Sequence, residues 1–109
     1  MSRARLPKEK VVRKATVFND IFEKGNKRNS KNMFVMMLDA PTFAIGFAVS
    51  TKIRGAVKRN RAKRLLREVF RLNQESLPTK KMMVLVAKPG ILRAEFGALQ
   101  KEFKLLMEA

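Results

Sequence analysis

The sequence contains no cysteine and no histidine. The first absence removes disulfide frameworks and thiol chemistry. The second removes the commonest general base and metal ligand. Tryptophan and tyrosine are missing as well, so the aromatic side chains are eight phenylalanines. Acids are scarce, nine against 25 lysines and arginines, and they are scattered along the chain. A hydrolytic active site usually needs a base or a carboxylate-held metal pair, and neither stands out, so no catalytic or metal-ligating residue is assigned. No apolar run approaches the ~18 residues of a membrane span. The basic N-terminal stretch MSRARLPKEKVVRK lacks an apolar signal core. These absences lead us to expect a cytoplasmic protein with no membrane partner and no active site of its own.

What is present is positive charge on a foldable chain. At 109 residues the length suits a single domain, and 46% hydrophobic content is too apolar for wholesale disorder. A formal net charge of +16 repels itself strongly in so small a particle. A polyanion is the natural compensation, nucleic acid ahead of an anionic membrane surface. There is no aromatic RNA-recognition consensus, no zinc spacing and no phosphate-cradling glycine loop.

Residues 1–10 are polar, interrupted by Pro7, and read as a loose basic arm. Apolar residues then recur at helical spacing (Val11, Ala15, Phe18, Phe22), predicting a helix over 13–24 with Gly25 at its C-cap. NKRNSKN, 26–32, reads as a polar loop, MFVMML, 33–38, as a strand, and Asp39–Thr42 as a turn. In 43–50 the sequence alternates: Phe43, Ile45, Phe47 and Val49 share one face, and Ala44, Gly46, Ala48 and Ser50 the other. A face of such small residues lets something approach closely, either a packed helix or a strand of nucleic acid. A basic loop at 51–58 leads into a long helix within 56–77, followed by a strand at 82–88 and a last helix at 91–107. The expected fold is a small single-domain α+β sandwich, one sheet with packed helices in the order α-β-β-α-β-α, with room for one extra short strand.

The segment KRNRAKRLLREVFRLN, 58–73, decides the functional reading. At ~100° per residue, Ala62, Leu65, Leu66, Val69, Phe70 and Leu72 gather on one arc. Asn60, Lys63, Arg64, Arg67, Glu68 and Arg71 occupy the opposite arc. Arg59, Lys63, Arg67 and Arg71 form an unbroken i, i+4 ladder of like charge, relieved only by Glu68, the i, i+4 partner of Arg64. Like pairs at this spacing cost roughly 0.2–0.5 kcal/mol each, and a solvated face usually mixes signs. Guanidinium forks suit phosphate oxygens and stack on bases, and Asn60 can donate and accept hydrogen bonds. The face is therefore read as a polyanion-binding surface. Phe18 and Phe22, one turn apart on the first helix, are either core or a platform on which unpaired bases stack.

VSTKIRGAVKRNRAKRLLREVFR, 49–71, closely resembles the signature of the bacterial ribonuclease P protein subunit, with Lys58-Arg59-Asn60-Arg61 at its heart. VFNDIFEKG, 17–25, and VLVAKPG, 84–90, resemble the family too. The resemblance implies an α+β sandwich with a left-handed βαβ crossover. It also implies a subunit that joins a large catalytic RNA. Together they remove the 5′ leader of precursor tRNA with magnesium held mainly by RNA phosphates, and no other protein is required. By that resemblance Lys52, on the cleft side, and Arg59, Asn60, Arg61, Lys63, Arg64 and Arg67 bind RNA; Arg71 extends the same ladder. Phe18 and Phe22 contact the leader, whose backbone lies along Ala44, Gly46, Ala48 and Ser50. A cleft position often aromatic in the family reads here as Met37, and Ile53-Arg54-Gly55 moves the family's loop glycine by one position and adds a charge. A structural, ribosomal-type RNA-binding protein is the competing reading.

Overall fold

The computed structural model describes residues 11, 12, 14–74, 77 and 80–108; the arm read at 1–10 lies outside them. The elements are α1 (Ala15–Lys24), β1 (Asn26–Asn29), β2 (Met33–Asp39), β3 (Ala44–Val49), α2 (Ala56–Leu72), β4 (Lys81–Ala87), a 3-10 helix (Pro89–Arg93) and α3 (Phe96–Glu108). The four strands form one mixed sheet in the order β1-β2-β4-β3. β2 runs antiparallel to both β1 and β4, whereas β3 and β4 are parallel, with Gly46 opposite Val84. The α+β expectation and the element order hold, and the extra short strand is β1.

The two sheet faces are covered differently. On one face α2 and α3 close a core around Phe70, Phe103, Leu66, Leu85, Met33 and Ile91. The Phe70 ring stacks on Phe43 and meets Phe47 and Phe103 edge-on, tying β3, α2 and α3 together. On the other face, among the described helices, α1 covers a small cluster of Ile21, Met36, Val84 and Val86, with Phe18 and Phe34 partly buried beside it.

Four details depart from the sequence expectations. NKRN forms strand β1 although no apolar side chain alternates in it; backbone pairing to β2, from Asn26↔Met37 to Asn29↔Phe34, makes the strand. Helix α2 stops at Leu72, because the buried Asn73 turns its amide back to donate to the Val69 carbonyl (2.8 Å) and to Gln100 Oε1 (3.2 Å). The expected helix at 91–107 is split: Ala94 is extended (φ −82°, ψ 148°) between the 3-10 helix and α3. Both pieces still turn apolar side chains inward, which is why one stripe was visible. Finally, Met37 packs in the α2/α3 core, and the α1 side of β2 is formed by Phe34 and Met36. The period of two along the strand thus removes Met37 from the cleft.

The hairpin and α3 are locked by Glu102. Its carboxylate accepts from Ser30 Oγ (2.7 Å), from the Asn32 backbone N–H (2.9 Å) and from the buried Asn32 amide (2.5 Å). Lys88 Nζ donates to the Ser30 carbonyl at 2.5 Å, joining the end of β4 to the same knot.

Candidate nucleic-acid interface

β3 is an edge strand, so its outer side is free of sheet partners along most of its length. The segment before α1 takes part of it: Val12 N–H donates to the Ile45 carbonyl at 2.7 Å, and Val11 bridges Ile45 in parallel. From there α1 carries Phe18 back over the strand. A Cβ on Gly46 would lie 2.7 Å from the tip of the Phe18 ring and 3.2 Å from Val12 Cβ. At Gly46 the small residue therefore admits the aromatic ring of α1, and the space above it is taken.

Beyond Gly46 the edge opens into a groove of about 420 Å³, lined on one side by Phe18 and Ala48 and on the other by Arg59, Asn60 and Lys63 of α2. The first turn of α2 creates this juxtaposition. Gly55 sits at φ +91°, in a region that L side chains rarely adopt, and starts the helix with no side-chain cap and no acid in the first turn. Arg59 is both wall and brace. Its Nη1 donates to the Ser50 carbonyl (3.1 Å) and the Ile53 carbonyl (2.9 Å), fixing the loop that precedes the helix. Ser50 belongs to the same loop, and its hydroxyl accepts from the Lys52 backbone N–H at 3.1 Å.

The remaining candidates are distributed around this groove. Phe22 is 40% exposed, one turn further along α1, and does not line it. Ala44 is half-buried at the start of β3 and also lies outside it. The Arg67 guanidinium lies 5.6 Å from the centre of the Phe47 ring, within cation–π range. Arg64 is exposed on the outer face. Glu68 pairs with Arg71 at i, i+3 through both carboxylate oxygens, not with Arg64 as its spacing had suggested. The Arg71 hydrogen bond holds the Glu68 carboxyl below its ordinary range. Arg71 is therefore partly neutralised within the protein.

Lys52 and Arg61 face elsewhere. They line a second depression, of about 500 Å³, together with Arg54, Lys58 and Arg93. At ~100° per residue, Lys58 and Arg61 point to the flank of α2 opposite Arg59, Asn60 and Lys63, so the helix is a ridge between two basic hollows. Arg54 was visible in the sequence only as an extra charge. Nothing in the sequence brings Arg93, beyond β4, next to α2.

Among the described residues no group of three or more carboxylates comes together to hold a metal. Every charged side chain lining the two hollows is a cation, which repels a divalent ion. These residues do not fit magnesium. No described helix is long and apolar enough to cross a membrane.

The family model for Ribonuclease P matches residues 6–109. The ribonuclease P protein component of Desulfotalea psychrophila is 37% identical over 92 residues, covering 83% of this chain and 77% of that protein. That of Syntrophus aciditrophicus is 32% identical over 111 residues, covering 98% and 92%. Among solved structures, a Staphylococcus aureus RNase P protein mutant with defective mRNA degradation activity superposes with a TM-score of 0.80 at 23% identity, covering 93% of this chain and 87% of the other. The RNase P protein from Thermotoga maritima gives 0.74 at 24%, covering 84% and 90%. These two likenesses establish the fold.

Proposed function

The chain belongs to the ribonuclease P protein family, and from that premise we propose that it is the protein component of a ribonucleoprotein endoribonuclease that removes the 5′ leader from precursor tRNA. The observation that supports this most is the groove at the β3 edge, where an aromatic ring, an amide and two cations face one another. Phe18 offers a surface for one unpaired base, a contact worth roughly 1–3 kcal/mol. Asn60 can donate to and accept from a base edge. Arg59, already braced, and Lys63 hold phosphates on the opposite wall. Arg64 and Arg67 extend the field along the outer face of α2, with Arg71 contributing less because Glu68 occupies it. Phe22, one turn further along α1 and outside the groove, meets the leader only where the strand leaves it.

In this reading the catalytic RNA breaks the bond, with magnesium held by RNA phosphates. The protein draws two polyanions together, and its affinity falls with salt at a log–log slope of about −0.7 to −0.9 per phosphate contact. A ribosomal-type structural role would fit the charge and size equally, but not the family match across residues 6–109. A cytoplasmic location, and independence from other proteins, are parts of the same proposal.

The test is reconstitution. The full chain is added to a bacterial ribonuclease P RNA and a leader-bearing precursor tRNA at low magnesium. Leader removal should need both protein and RNA, and the protein alone should cleave nothing. Cleavage by the protein alone, or no gain from adding it, would contradict the assignment.

A further inference from the structure

Glycine is a poor strand former, and inside a strand it marks a close approach. Gly46 sits buried in the middle of β3, opposite Val84. Its backbone does not call for glycine, since among the described glycines only Gly55 has a positive φ. What the missing side chain supplies is space. A Cβ at position 46 would lie 2.7 Å from Phe18 Cζ and 2.9 Å from Phe18 Cε1, well inside contact distance. The same Cβ would come within 3.2 Å of Val12 Cβ. Val12 is tied to the strand by its own N–H, which donates to the Ile45 carbonyl at 2.7 Å.

Gly25, at the other end of α1, is crowded differently. A Cβ there would meet backbone, the Ile21 carbonyl oxygen at 2.5 Å and the Met37 carbonyl oxygen at 2.8 Å. Those atoms cannot yield without moving the helix or the sheet. At Gly46 the nearest atoms are the far end of one side chain, which can swing. The open space beside that ring is the groove it lines with Ala48, opposite Arg59, Asn60 and Lys63.

We propose that Gly46 is a positioning residue for the leader. By letting Phe18 sink against β3, it keeps the ring back as a wall of the groove and leaves room for an unpaired strand. A methyl group at position 46 pushes the ring into the space that strand takes. Gly46 acts through Phe18 and not by touching RNA, because the ring and Val12 cover it. The proposal rests on the reading of Phe18 as a leader contact.

The experiment compares the full-length parent, Gly46→Ala, Phe18→Ala and the double variant, each assembled with a bacterial ribonuclease P RNA. Affinities for a leader-bearing precursor tRNA and for mature tRNA are read by stopped-flow fluorescence, and their ratio is the leader preference. Gly46→Ala should lower that preference about threefold to tenfold, a fraction of one base stack. Its affinity for mature tRNA and its cleavage rate at saturating precursor should each stay within about twofold of the parent. Beside Phe18→Ala the double variant should lose less than about twofold more, because residues that act through one another are not additive. Equal losses on both RNAs would make Gly46 a matter of fold alone, and an unchanged preference would mean that the ring yields without entering the groove. A full further loss in the double variant would put the leader directly on Gly46. Each of the three overturns the proposal. Should Gly46→Ala fail to fold by circular dichroism, Val12→Ala loosens the same contact and keeps the backbone bond; it should lower the preference about twofold, and no drop would overturn the proposal. A parent with no leader preference would sink the reading of Phe18 first, and this one with it.

Discussion

The two faces of the sheet are finished to different degrees. The α2/α3 face is closed around Phe70, which is 1% exposed, and Phe103, which is fully buried. Among the described residues the α1 face buries a smaller apolar cluster, Ile21, Met36, Val84 and Val86, and leaves Phe18 half covered and Phe22 exposed. The same amino acid thus has two tasks. Phenylalanine on the first face holds helices to the sheet. On the second it is left with a free side that water covers poorly, beside cations that have few acids to answer them. Stability is concentrated on one face, and the proposed means of binding on the other and at its edge.

The contrast can be broken most forcefully at its strongest point. Phe70→Ala removes the ring that joins β3, α2 and α3, and it should cost about 3–5 kcal/mol in urea denaturation, enough to unfold much of the protein. Next is the Glu102 knot. Glu102→Ala leaves the buried Asn32 amide without its acceptor, and should cost about 1–3 kcal/mol by the same measurement. Phe18→Ala should be milder in stability, roughly 1–2 kcal/mol, yet should weaken binding of a leader-length single strand by roughly 1–3 kcal/mol. Phe22→Ala should change stability and binding less than Phe18→Ala does. If Phe18→Ala unfolded the protein as Phe70→Ala does, the two faces would not differ as described. The smallest effect is at Glu68. Its carboxyl is lowered in the folded state by Arg71, so the pair's stabilisation is present above the unfolded carboxylate range and is lost as pH falls through the lowered value. Glu68→Gln should therefore be slightly less stable than the parent at pH 7 and indistinguishable from it at strongly acid pH, as read from thermal melts. Any gap between them that widens on acidification would contradict the pairing.

Much of this was legible in the sequence because it is periodic. The stripe Ala62, Leu66, Val69, Phe70 set the inner face of α2, and the alternation of Phe43–Ser50 set β3. What escaped was whatever periodicity does not encode. β1 has no pattern, since its strand comes from pairing with β2. The end of α2 depends on one amide, Asn73, reaching back a turn. At the site, the cationic face of α2 was plain, but its division into two flanks needed the tertiary positions of Arg54 and Arg93. The small face of β3 was correctly seen as a place of close approach, and at Gly46 the approaching group is Phe18 itself.

The central claim is that an unpaired RNA strand lies against Phe18 in the groove at the β3 edge. Incorporating a photoreactive benzoylphenylalanine at position 18, assembling the chain with the catalytic RNA and a precursor tRNA, and mapping the adduct after irradiation tests it most directly. The account predicts a cross-link to a leader nucleotide close to the cleavage site. An adduct confined to the catalytic RNA or to the body of the tRNA would contradict it.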